Sequence, residues 1–322
     1  MTVLQQMLEE VRSVAILGHV HPDGDCLGST LGLYNYLQLN YPDIKASVYL
    51  EEASDKFLYL KGFEKIHHEA DEEAYDLCIC LDSGGKDRLG KFECYLNRAR
   101  KSLCLDHHIT NTGYASANVI EEDASSTCEV LFKQMDEDKI GKVVAECLYT
   151  GLVHDTGVFK YSCTSGTTMK IAGILMEKGI DFGSIIDNSF YKKTYVQNQV
   201  LGRALLESAT ILEGRCIFSW MSQDELKFYG VGSKDLDGII DQLRLTDGVE
   251  VAVFAYETGA REFKVSMRSK YQVDVSRIAA HFGGGGHVRA AGCPMKGSIH
   301  QVLRRVTGEI EKQLTPATPS EA

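Results

Sequence analysis

Three short apolar runs in the early part of the chain each end in a histidine or an aspartate. The runs cover residues 14–18, 77–81 and 102–105, and His19, Asp82 and Asp106 follow them directly. A continuous apolar run of this length predicts a strand that is covered on both faces, as in parallel sheets. Segments with helical spacing lie between and after the runs, at 27–39, 127–135 and 143–153. The alternation of strands with helices predicts an α/β fold with a doubly wound, mainly parallel sheet.

Acidic and imidazole side chains occupy the predicted strand ends. They lie in four stretches, at residues 19–25, at Asp82, at 106–108 and at 154–157, and the fourth follows the helical segment. The carboxyl ends of parallel strands lie along one edge of a sheet, where ligands of open α/β sheets bind. We therefore expect the four stretches to converge on a single point.

The chain is long enough for two domains, since it has 322 residues. The composition changes after a polar segment of helical character, which predicts a first domain over 1–188, a linker helix over 189–208 and a second domain over 209–314. The second domain has strand and hairpin patterns at 215–220, 249–256 and 262–268, so we expect a smaller α/β domain there. The Pro/Ser/Thr/Ala-rich tail over 315–322 is predicted to be disordered.

Charge and cysteine usage limit the possible partners and location. The formal net charge of −11 argues against binding of long duplex nucleic acid, which usually needs a basic stripe. It does not exclude a small anionic substrate, because divalent cations and a few arginines can set the sign of the field within a cleft. No apolar run approaches the length of a membrane span, and the ten cysteines form no CxxC pair. We expect a cytoplasmic protein with reduced cysteines and no membrane contact.

The donor types in the four stretches predict a metal centre. Carboxylate oxygens mixed with imidazole nitrogens suit Mn²⁺ better than the thiolate sites of zinc, and Mg²⁺ or Co²⁺ are alternatives. Two such ions roughly 3.5–4 Å apart can bind a phosphate together, activate a water and stabilise the leaving oxygen. Asp82 is the best candidate for a bridging carboxylate, and Gly24 allows a tight turn between Asp23 and Asp25.

The order and spacing of these motifs resemble the DHH phosphoesterase superfamily. The matching residues are His19-x-x-Pro22-Asp23-Gly24-Asp25-x-x-Gly28-Ser29, then Asp82, then Asp106-His107-His108, then Asp155-Thr156-Gly157. The later Gly283-Gly284-Gly285-Gly286-His287-x-x-Ala290-Ala291-Gly292 resembles the DHHA1 substrate-binding domain. The resemblance implies a DHH catalytic domain, a DHHA1 domain and a cleft between the two domains.

The resemblance also implies a role for each motif residue. One metal ion would be held by His19 and Asp23, and Asp82 would bridge to the second ion. The ligands of that second ion would be Asp25, His107 and Asp155. Three residues would be catalytic: Asp82, Asp106, which would orient His107, and His108, which would contact the scissile phosphate or assist the leaving group. The chain departs from the family at His21 and His154, where Asn and Thr are usual, and we interpret both changes as innocuous.

The glycine-rich segment predicts a phosphate clamp in the second domain. Consecutive glycines allow backbone amides to approach an anion closely, and the segment supplies Gly284, Gly285 and Gly286. His287 follows directly and Arg268 ends a predicted strand, so both are expected to hold a terminal phosphate of the substrate. A flexible loop with a basic flank is the alternative interpretation.

Within the superfamily, a DHH domain with a DHHA1 domain resembles the bifunctional oligoribonucleases and pAp phosphatases. The resemblance implies hydrolysis of short RNA and linear dinucleotides such as pApA to nucleoside 5′-monophosphates, and of 3′-phosphoadenosine 5′-phosphate (pAp) to AMP. It also implies two Mn²⁺ ions per subunit and a homodimer. The alternatives are a cyclic di-AMP phosphodiesterase of the same superfamily and a non-catalytic nucleotide-binding module. The sequence leaves the ranking of these substrates and the direction of digestion open.

Overall fold

The computed structural model describes residues 1–314 and contains two compact units. The first unit ends at Lys192 and the second begins at Lys193. The predicted disordered tail over 315–322 lies outside the described residues. Among the residues that are described, no helix combines the length and the apolar character needed to cross a lipid bilayer.

A parallel sheet forms the centre of the first unit. Within residues 1–192 it has five strands, in the order β2-β1-β3-β4-β5, and every neighbouring pair is parallel. The strands are β1 (Ser13–Leu17), β2 (Lys45–Tyr49), β3 (Leu77–Leu81), β4 (Lys101–Asp106) and β5 (Ala117–Ile120). The prediction of a mainly parallel α/β sheet is therefore confirmed.

Both faces of this sheet are covered, which explains why β3 is apolar throughout and why β1 is apolar after Ser13. In β1, Val14 and Ile16 pack into one core cluster, whereas Ala15 and Leu17 pack into another on the opposite face. Successive residues of a strand point to opposite faces, so a strand buried on both sides needs an apolar residue at each position.

The helices of the first unit bring distant parts of the chain to the sheet edge. Helix α2 packs against α5 so closely that a Cβ on Gly28 would lie 2.5 Å from the carbonyl oxygen of Cys147. The α-helices of this unit are α1 (Val3–Met7), α2 (Gly24–Asn40), α3 (Glu93–Arg98), α4 (Thr127–Gln134), α5 (Lys142–Asp155), α6 (Gly166–Glu177) and α7 (Phe182–Ile186), and a π-helical turn (Asp187–Tyr191) follows α7.

The strand order creates a topological switch point between β1 and β3. From β1 the chain continues to β2 on one side, and β3 and β4 follow on the other side. At such a point the connections diverge and leave a crevice outside the carboxyl ends of the two strands, which is where ligands of doubly wound sheets bind. The segment 19–25 and Asp82 follow these two strands.

The second unit is built on a mixed sheet. Among residues 193–314 it has six strands in the order β10-β11-β9-β8-β7-β6, and β7 and β8 pair in parallel whereas the other pairs are antiparallel. The strands are β6 (Ala209–Ile211), β7 (Cys216–Met221), β8 (Val251–Gly259), β9 (Glu262–Ser269), β10 (Gly285–His287) and β11 (Ala290–Lys296). The helices are α8 (Tyr195–Leu206), α9 (Gln223–Tyr229), α10 (Ile239–Arg244), α11 (Val275–His281) and α12 (Ile299–Glu311).

The structure differs from the predicted linker helix over 189–208. Helix α8 begins at Tyr195, after the Thr194 cap, and its Val200 and Ala204 are fully buried in a core cluster with Ile217 of β7. The helix therefore belongs to the core of the second unit. Val200 and Ala204 lie on the face of the helix that packs against the sheet, whereas the polar Asn198 and Gln199 are exposed to solvent.

Candidate metal centre

The turn after β1 places two carboxylates at the start of α2. Asp23 is the N-cap of the helix, and its Oδ1 accepts the backbone N–H groups of Asp25 (3.0 Å) and Cys26 (3.1 Å). His19 lies on the same turn, with its Nε2 at 3.7 Å from Asp23 Oδ1. Gly24 is required here, because a Cβ at this position would lie 2.1 Å from the His154 ring. The sequence therefore gathers His19, Asp23 and Asp25 within one tight turn.

Asp82 lies between two imidazoles. Its Oδ2 is 3.5 Å from His19 Nε2, and its Oδ1 is 3.7 Å from His107 Nε2. The residue is 2% exposed and its backbone is left-handed, with φ of 54°, which is strained for a residue with a side chain. Thr127 orients the carboxylate further by donating its hydroxyl to Oδ1 at 3.1 Å. This is the placement that a carboxylate shared by two cations requires.

Three side chains from three elements meet on the other side of Asp82. His107 Nε2 lies 3.1 Å from Asp155 Oδ2, and Asp25, His107 and Asp155 form a group whose potential ligand atoms all lie within 4.8 Å of one another. Asp25 is completely buried and accepts backbone N–H groups at the N-terminus of α4, from Thr127 (2.6 Å) and Cys128 (3.0 Å). The helix N-terminus thereby stabilises the carboxylate charge.

The expected role of Asp106 needs a correction. Its Oδ1 lies 2.8 Å from Nδ1 of His108, whereas its contact with His107 is through the backbone N–H of that residue. The ring of His107 instead directs Nδ1 toward the carbonyl oxygen of Ala124, at 3.4 Å. Asn111 holds the second oxygen of Asp106 at 2.7 Å. The Asp106 carboxylate therefore orients His108, because adjacent side chains in the extended segment point in different directions.

The electrostatics of the cluster show an excess of buried negative charge. Burial and the neighbouring Asp82 raise the pKa of Asp25 to about 7, and burial together with Asp25 raises the pKa of Asp155 to about 6. Burial opposes the charged form of His19 and His107, yet the surrounding carboxylates raise the pKa of each to about 10. The same charge distribution that retains protons on the imidazoles would attract cations.

The donor set fits a pair of hard divalent cations. Within residues 1–314, the groups able to hold an ion are His19 with Cys26 and Asp82, Asp82 with His107 and His108, and Asp25 with His107 and Asp155. The first and second groups share Asp82, and the second and third share His107. The three groups therefore form one continuous cluster. Carboxylate oxygen and imidazole nitrogen are donors that Mn²⁺ and Mg²⁺ accept in proteins.

Sequence reasoning missed two contributors to this cluster. The thiol of Cys26 is buried beside His19 and Asp82. An apolar environment favours the neutral thiol, which made packing the natural interpretation. The hydroxyl of Thr127 contacts Asp82, and Ser126 is the cap of α4. Only the folded chain shows both contacts, since each joins segments far apart in the sequence.

The two histidines that depart from the family pattern have separate environments. His21 is exposed, and its Nδ1 lies 3.5 Å from Glu51 Oε2. His154 packs between Phe57 and Phe190, with ring centroids at 5.1 and 5.7 Å. Burial and the charge of Lys56 lower its pKa to about 4, so the ring is neutral at physiological pH. Neither histidine belongs to the metal-capable groups of residues 1–314.

The second unit aligns Arg268 and His287 across three neighbouring strands. Ala290 of β11 is opposite His287 on one side and opposite Arg268 on the other. Directly opposed residues of antiparallel strands point to the same face, so both side chains share a face. Two strand spacings separate their backbones by roughly 10 Å, and the small Ala290 lies between them. Arg268 Nε is oriented by Asp241 Oδ1, at 3.3 Å.

The glycine-rich segment is an edge strand in part, not a loop throughout. Gly285, Gly286 and His287 form β10, and Gly284 and Gly286 are needed because a Cβ on either would collide with the β11 backbone, at 2.2 and 2.5 Å. The N–H of Gly284 donates to the carbonyl of Ala279 at 2.8 Å, so it is already used. Gly285 faces open space. The glycine pattern therefore has a structural cause, which sequence reasoning assigned to the ligand alone.

Comparison with known proteins agrees with this architecture. Residues 13–152 match the DHH family, N-terminal domain, and residues 215–314 match the DHHA1 domain. The chain therefore belongs to the DHH family and carries a DHHA1 domain.

Individual relatives cover nearly the whole chain. The sequence is 26% identical to the bifunctional oligoribonuclease and PAP phosphatase NrnA of Thermus thermophilus, over 98% of this chain and 95% of that protein. It is 28% identical to the protein of the same name from Bacillus subtilis, over 85% and 86%. It is 25% identical to the cyclic-di-AMP phosphodiesterase PdeA of Listeria monocytogenes, over 98% of this chain but 48% of that protein.

A solved structure shares the fold. The crystal structure of an exopolyphosphatase-related protein from Bacteroides fragilis superposes with a TM-score of 0.84, at 24% identity, and covers 96% of this chain and 94% of that chain. At this identity the likeness establishes the architecture of the chain.

Proposed function

We propose that this protein is a Mn²⁺-dependent phosphoesterase that cleaves short oligoribonucleotides and linear dinucleotides to nucleoside 5′-monophosphates and converts pAp to AMP. The observation that carries the proposal is the position of Asp82, whose two oxygens face His19 and His107 respectively. The names of the relatives from Thermus thermophilus and Bacillus subtilis support the same substrates.

We assign the ligands of two Mn²⁺ ions per subunit from the cluster. His19 and Asp23 would hold one ion, Asp25, His107 and Asp155 would hold the other, and Asp82 would serve both. When bound, the pair supplies an activated water and neutralises charge that develops on the phosphate. The backbone N–H groups of Asp25 and Cys26 both donate to Asp23 Oδ1, which keeps the turn that carries these ligands compact.

His108 supplies the proton for the leaving oxygen. Its Nδ1 faces Asp106, at 2.8 Å, so Nε2 is the ring nitrogen left to face substrate. The hydrogen bond to the Asp106 carboxylate raises the pKa of His108, which keeps a proton on the ring. A protonated imidazole beside the phosphate can donate to the departing alcohol as a general acid.

Arg268 and His287 bind a terminal phosphate of the substrate. The two side chains share one sheet face, and an arginine that is oriented by a carboxylate presents a fixed fork of donors. Gly285 faces open space, so this edge strand leaves room there for the close approach of an anion. The cleft between the domains, the homodimer and a cytoplasmic location stay predictions of the family resemblance.

The alternative substrate is cyclic di-AMP. The relative from Listeria monocytogenes is named a cyclic-di-AMP phosphodiesterase, and the chain covers about half of that protein (48%). A non-catalytic nucleotide-binding module is disfavoured because every expected metal ligand is present and clustered.

The test is a substrate panel with purified protein at fixed Mn²⁺. Initial rates are compared on pAp, pApA, longer oligoribonucleotides and cyclic di-AMP, with His108→Ala as the inactive reference. We expect phosphate release from pAp and mononucleotide release from pApA. Faster hydrolysis of cyclic di-AMP than of the linear substrates would favour the alternative. Tight nucleotide binding without hydrolysis of any substrate would contradict the enzymatic proposal.

A further inference from the structure

A cavity of about 410 Å³ opens beside His108 in the first unit. Two loops form it, one after β3 and one after β4. Its lining residues are Gly84, Gly85, Asp87, Arg88, His108 and Thr110. The volume lies within the range of small-molecule sites, which is roughly 300–1,000 Å³. Apart from His108, no residue of this cavity has a role in the metal centre or in the phosphate clamp.

The walls of the cavity are held in place by hydrogen bonds. The carbonyl of Ser83 accepts from Asn111 Nδ2 at 3.1 Å and from the Tyr114 hydroxyl at 3.2 Å, and the hydroxyl of Ser83 donates to the Gly85 carbonyl at 2.9 Å. These contacts join the loop after β3 to the loop that carries His108. A site with such supports can bind a ligand without first ordering a flexible segment.

The cavity is also fixed relative to the metal-binding turn. The carbonyl oxygen of Arg88 accepts the backbone N–H of Val20, next to His19, at 2.7 Å. On the opposite wall, a Cβ on Gly84 would lie 3.2 Å from Thr110 Oγ1 and 3.4 Å from His108 Cβ, so the two loops are in close contact. A shift of the loop after β3 would therefore also move His108 and the turn that carries His19.

The polar groups of the cavity suit a nucleoside better than a free anion. Asp87 is an exposed carboxylate that would repel a second phosphate but accepts hydrogen bonds from hydroxyl groups. Arg88 presents an exposed guanidinium, whose flat face stacks on nucleobases. Thr110 adds a hydroxyl that both donates and accepts. A ribose with a free 2′-hydroxyl, attached to a planar base, satisfies all three groups.

We propose that this cavity binds the nucleoside on the leaving-group side of the scissile phosphate, and that Asp87 accepts a hydrogen bond from its 2′-hydroxyl. The inference rests on the proposed function. In pAp and in an oligoribonucleotide alike, the bond from phosphorus to the 3′-oxygen breaks, and that oxygen receives the proton from His108. The ribose that bears this oxygen must then lie beside His108, with its 2′-hydroxyl one carbon away. Asp87 thereby selects ribonucleotides over deoxyribonucleotides.

The test compares pAp with its 2′-deoxy analogue. We expect the wild type to prefer pAp in kcat/KM, and Asp87→Ala to lower this preference by about tenfold or more, as for loss of one hydrogen bond to a charged group. Asp224→Ala, at an exposed carboxylate of the second unit, is the matched control and should keep the preference. Arg88→Ala should raise KM for both substrates alike, because stacking does not depend on the sugar.

Product binding provides a second readout that does not require turnover. Calorimetry with AMP and 2′-deoxy-AMP should show the same loss of discrimination in Asp87→Ala. A wild type that cleaves both analogues equally, or an unchanged preference in Asp87→Ala, would overturn the inference and leave the proposed function intact. A wild type that hydrolyses neither pAp nor pApA would contradict the proposed function itself.

Discussion

The candidate metal centre depends most on one residue, Asp82. It contacts both halves of the cluster, since one oxygen faces His19 and the other faces His107, and a left-handed backbone holds it there. Strained backbone conformations persist where the surrounding structure determines them, and they concentrate at functional sites. The surrounding contacts hold this strained backbone in place. At the end of β3, the Asp82 carboxylate contacts His19, His107 and Thr127, which belong to three other segments.

Replacement of Asp82 should abolish hydrolysis of every substrate. We expect Asp82→Ala to lower kcat by about a thousandfold or more, since both ions lose a shared ligand and the groups act as a unit. Initial rates on the substrate panel and the bound metal per chain measure the effect. Asp123→Ala, at an exposed carboxylate of the same unit, is the control. An Asp82→Ala variant with near wild-type rates would disprove the bridging assignment.

Glu129 gives a residue-scale prediction about stability and pH. This buried carboxylate accepts hydrogen bonds from Lys133, Ser125 and Thr168, at 2.9, 2.8 and 2.7 Å. Burial favours the neutral acid, but these donors hold the pKa of Glu129 below its ordinary value of 4.5. A carboxyl with a depressed pKa stabilises the fold fully above its unfolded pKa, and the contribution is lost as pH falls through the folded pKa.

Glu129→Gln should therefore destabilise the protein in a pH-dependent way. At neutral pH we expect a loss of about 1–3 kcal/mol in the free energy of unfolding. The difference in the free energy of unfolding between variant and wild type should shrink below pH 4.5, the ordinary pKa of a glutamate. Below this pH, Glu129 of the wild type becomes protonated in the unfolded state before it does so in the folded state. Urea unfolding at several pH values measures it, with the exposed Glu122→Gln as control. A difference that stays constant into the acid range would show that charge on Glu129 does not contribute.

At the scale of elements, the strand ends were predictable and the side-chain partners were not. Apolar runs that end in Asp82 and Asp106 locate two strands and the sheet edge, because a doubly covered strand has a distinct pattern. The pairing of Asp106 with His108 rather than His107 depends on side-chain direction, which the sequence does not specify. The glycine-rich segment became a strand because β11 lies beside it, a long-range contact that local composition does not contain.

The close contact of α2 and α5 gives a prediction at this scale. A Cβ on Gly28 would lie 2.5 Å from the Cys147 carbonyl oxygen and 2.9 Å from the Gly151 amide nitrogen, both on the backbone of α5. We expect Gly28→Ala to cost about 1–3 kcal/mol of stability, since backbone atoms cannot move aside as a flexible side chain can.

Gly173 provides the matched helical control. It lies within α6 and a Cβ there would meet nothing within 4 Å. Gly173→Ala should stabilise the protein by about 0.4–1 kcal/mol, because alanine lowers the conformational entropy of the unfolded chain and its Cβ makes no clash in the folded one. Chemical denaturation of both variants measures the contrast. Equal effects of the two substitutions would mean that the helices do not pack as closely as the structure indicates.

At the scale of the whole molecule, chemistry and recognition are assigned to different units. Each unit has its own core, and the proposed metal ligands all belong to the first, whereas Arg268 and His287 of the proposed phosphate clamp belong to the second. The sequence predicted this division from a change in composition, but it placed α8 between the units because the helix exposes a polar face. Packing of Val200 and Ala204 against β7 is a tertiary contact that composition alone does not reveal.

The division predicts a selective effect of Arg268→Ala. We expect KM to rise about tenfold for pAp, in line with loss of a charged hydrogen bond to phosphate. A substrate without a terminal phosphate should be affected much less, and kcat should change little because the metal ligands are intact. Steady-state kinetics of both substrates give the comparison, with the exposed Arg304→Ala as control. An equal loss on both substrates would count against the clamp.

A manganese titration of the metal-free protein, followed by electron paramagnetic resonance, tests the paired-ion centre most directly. Two ions roughly 3.5–4 Å apart are magnetically coupled. We expect uptake of two Mn²⁺ per chain and a coupled spectrum, which is lost in Asp82→Ala. Saturation at one ion, or a spectrum of isolated ions in the wild type, would contradict the account.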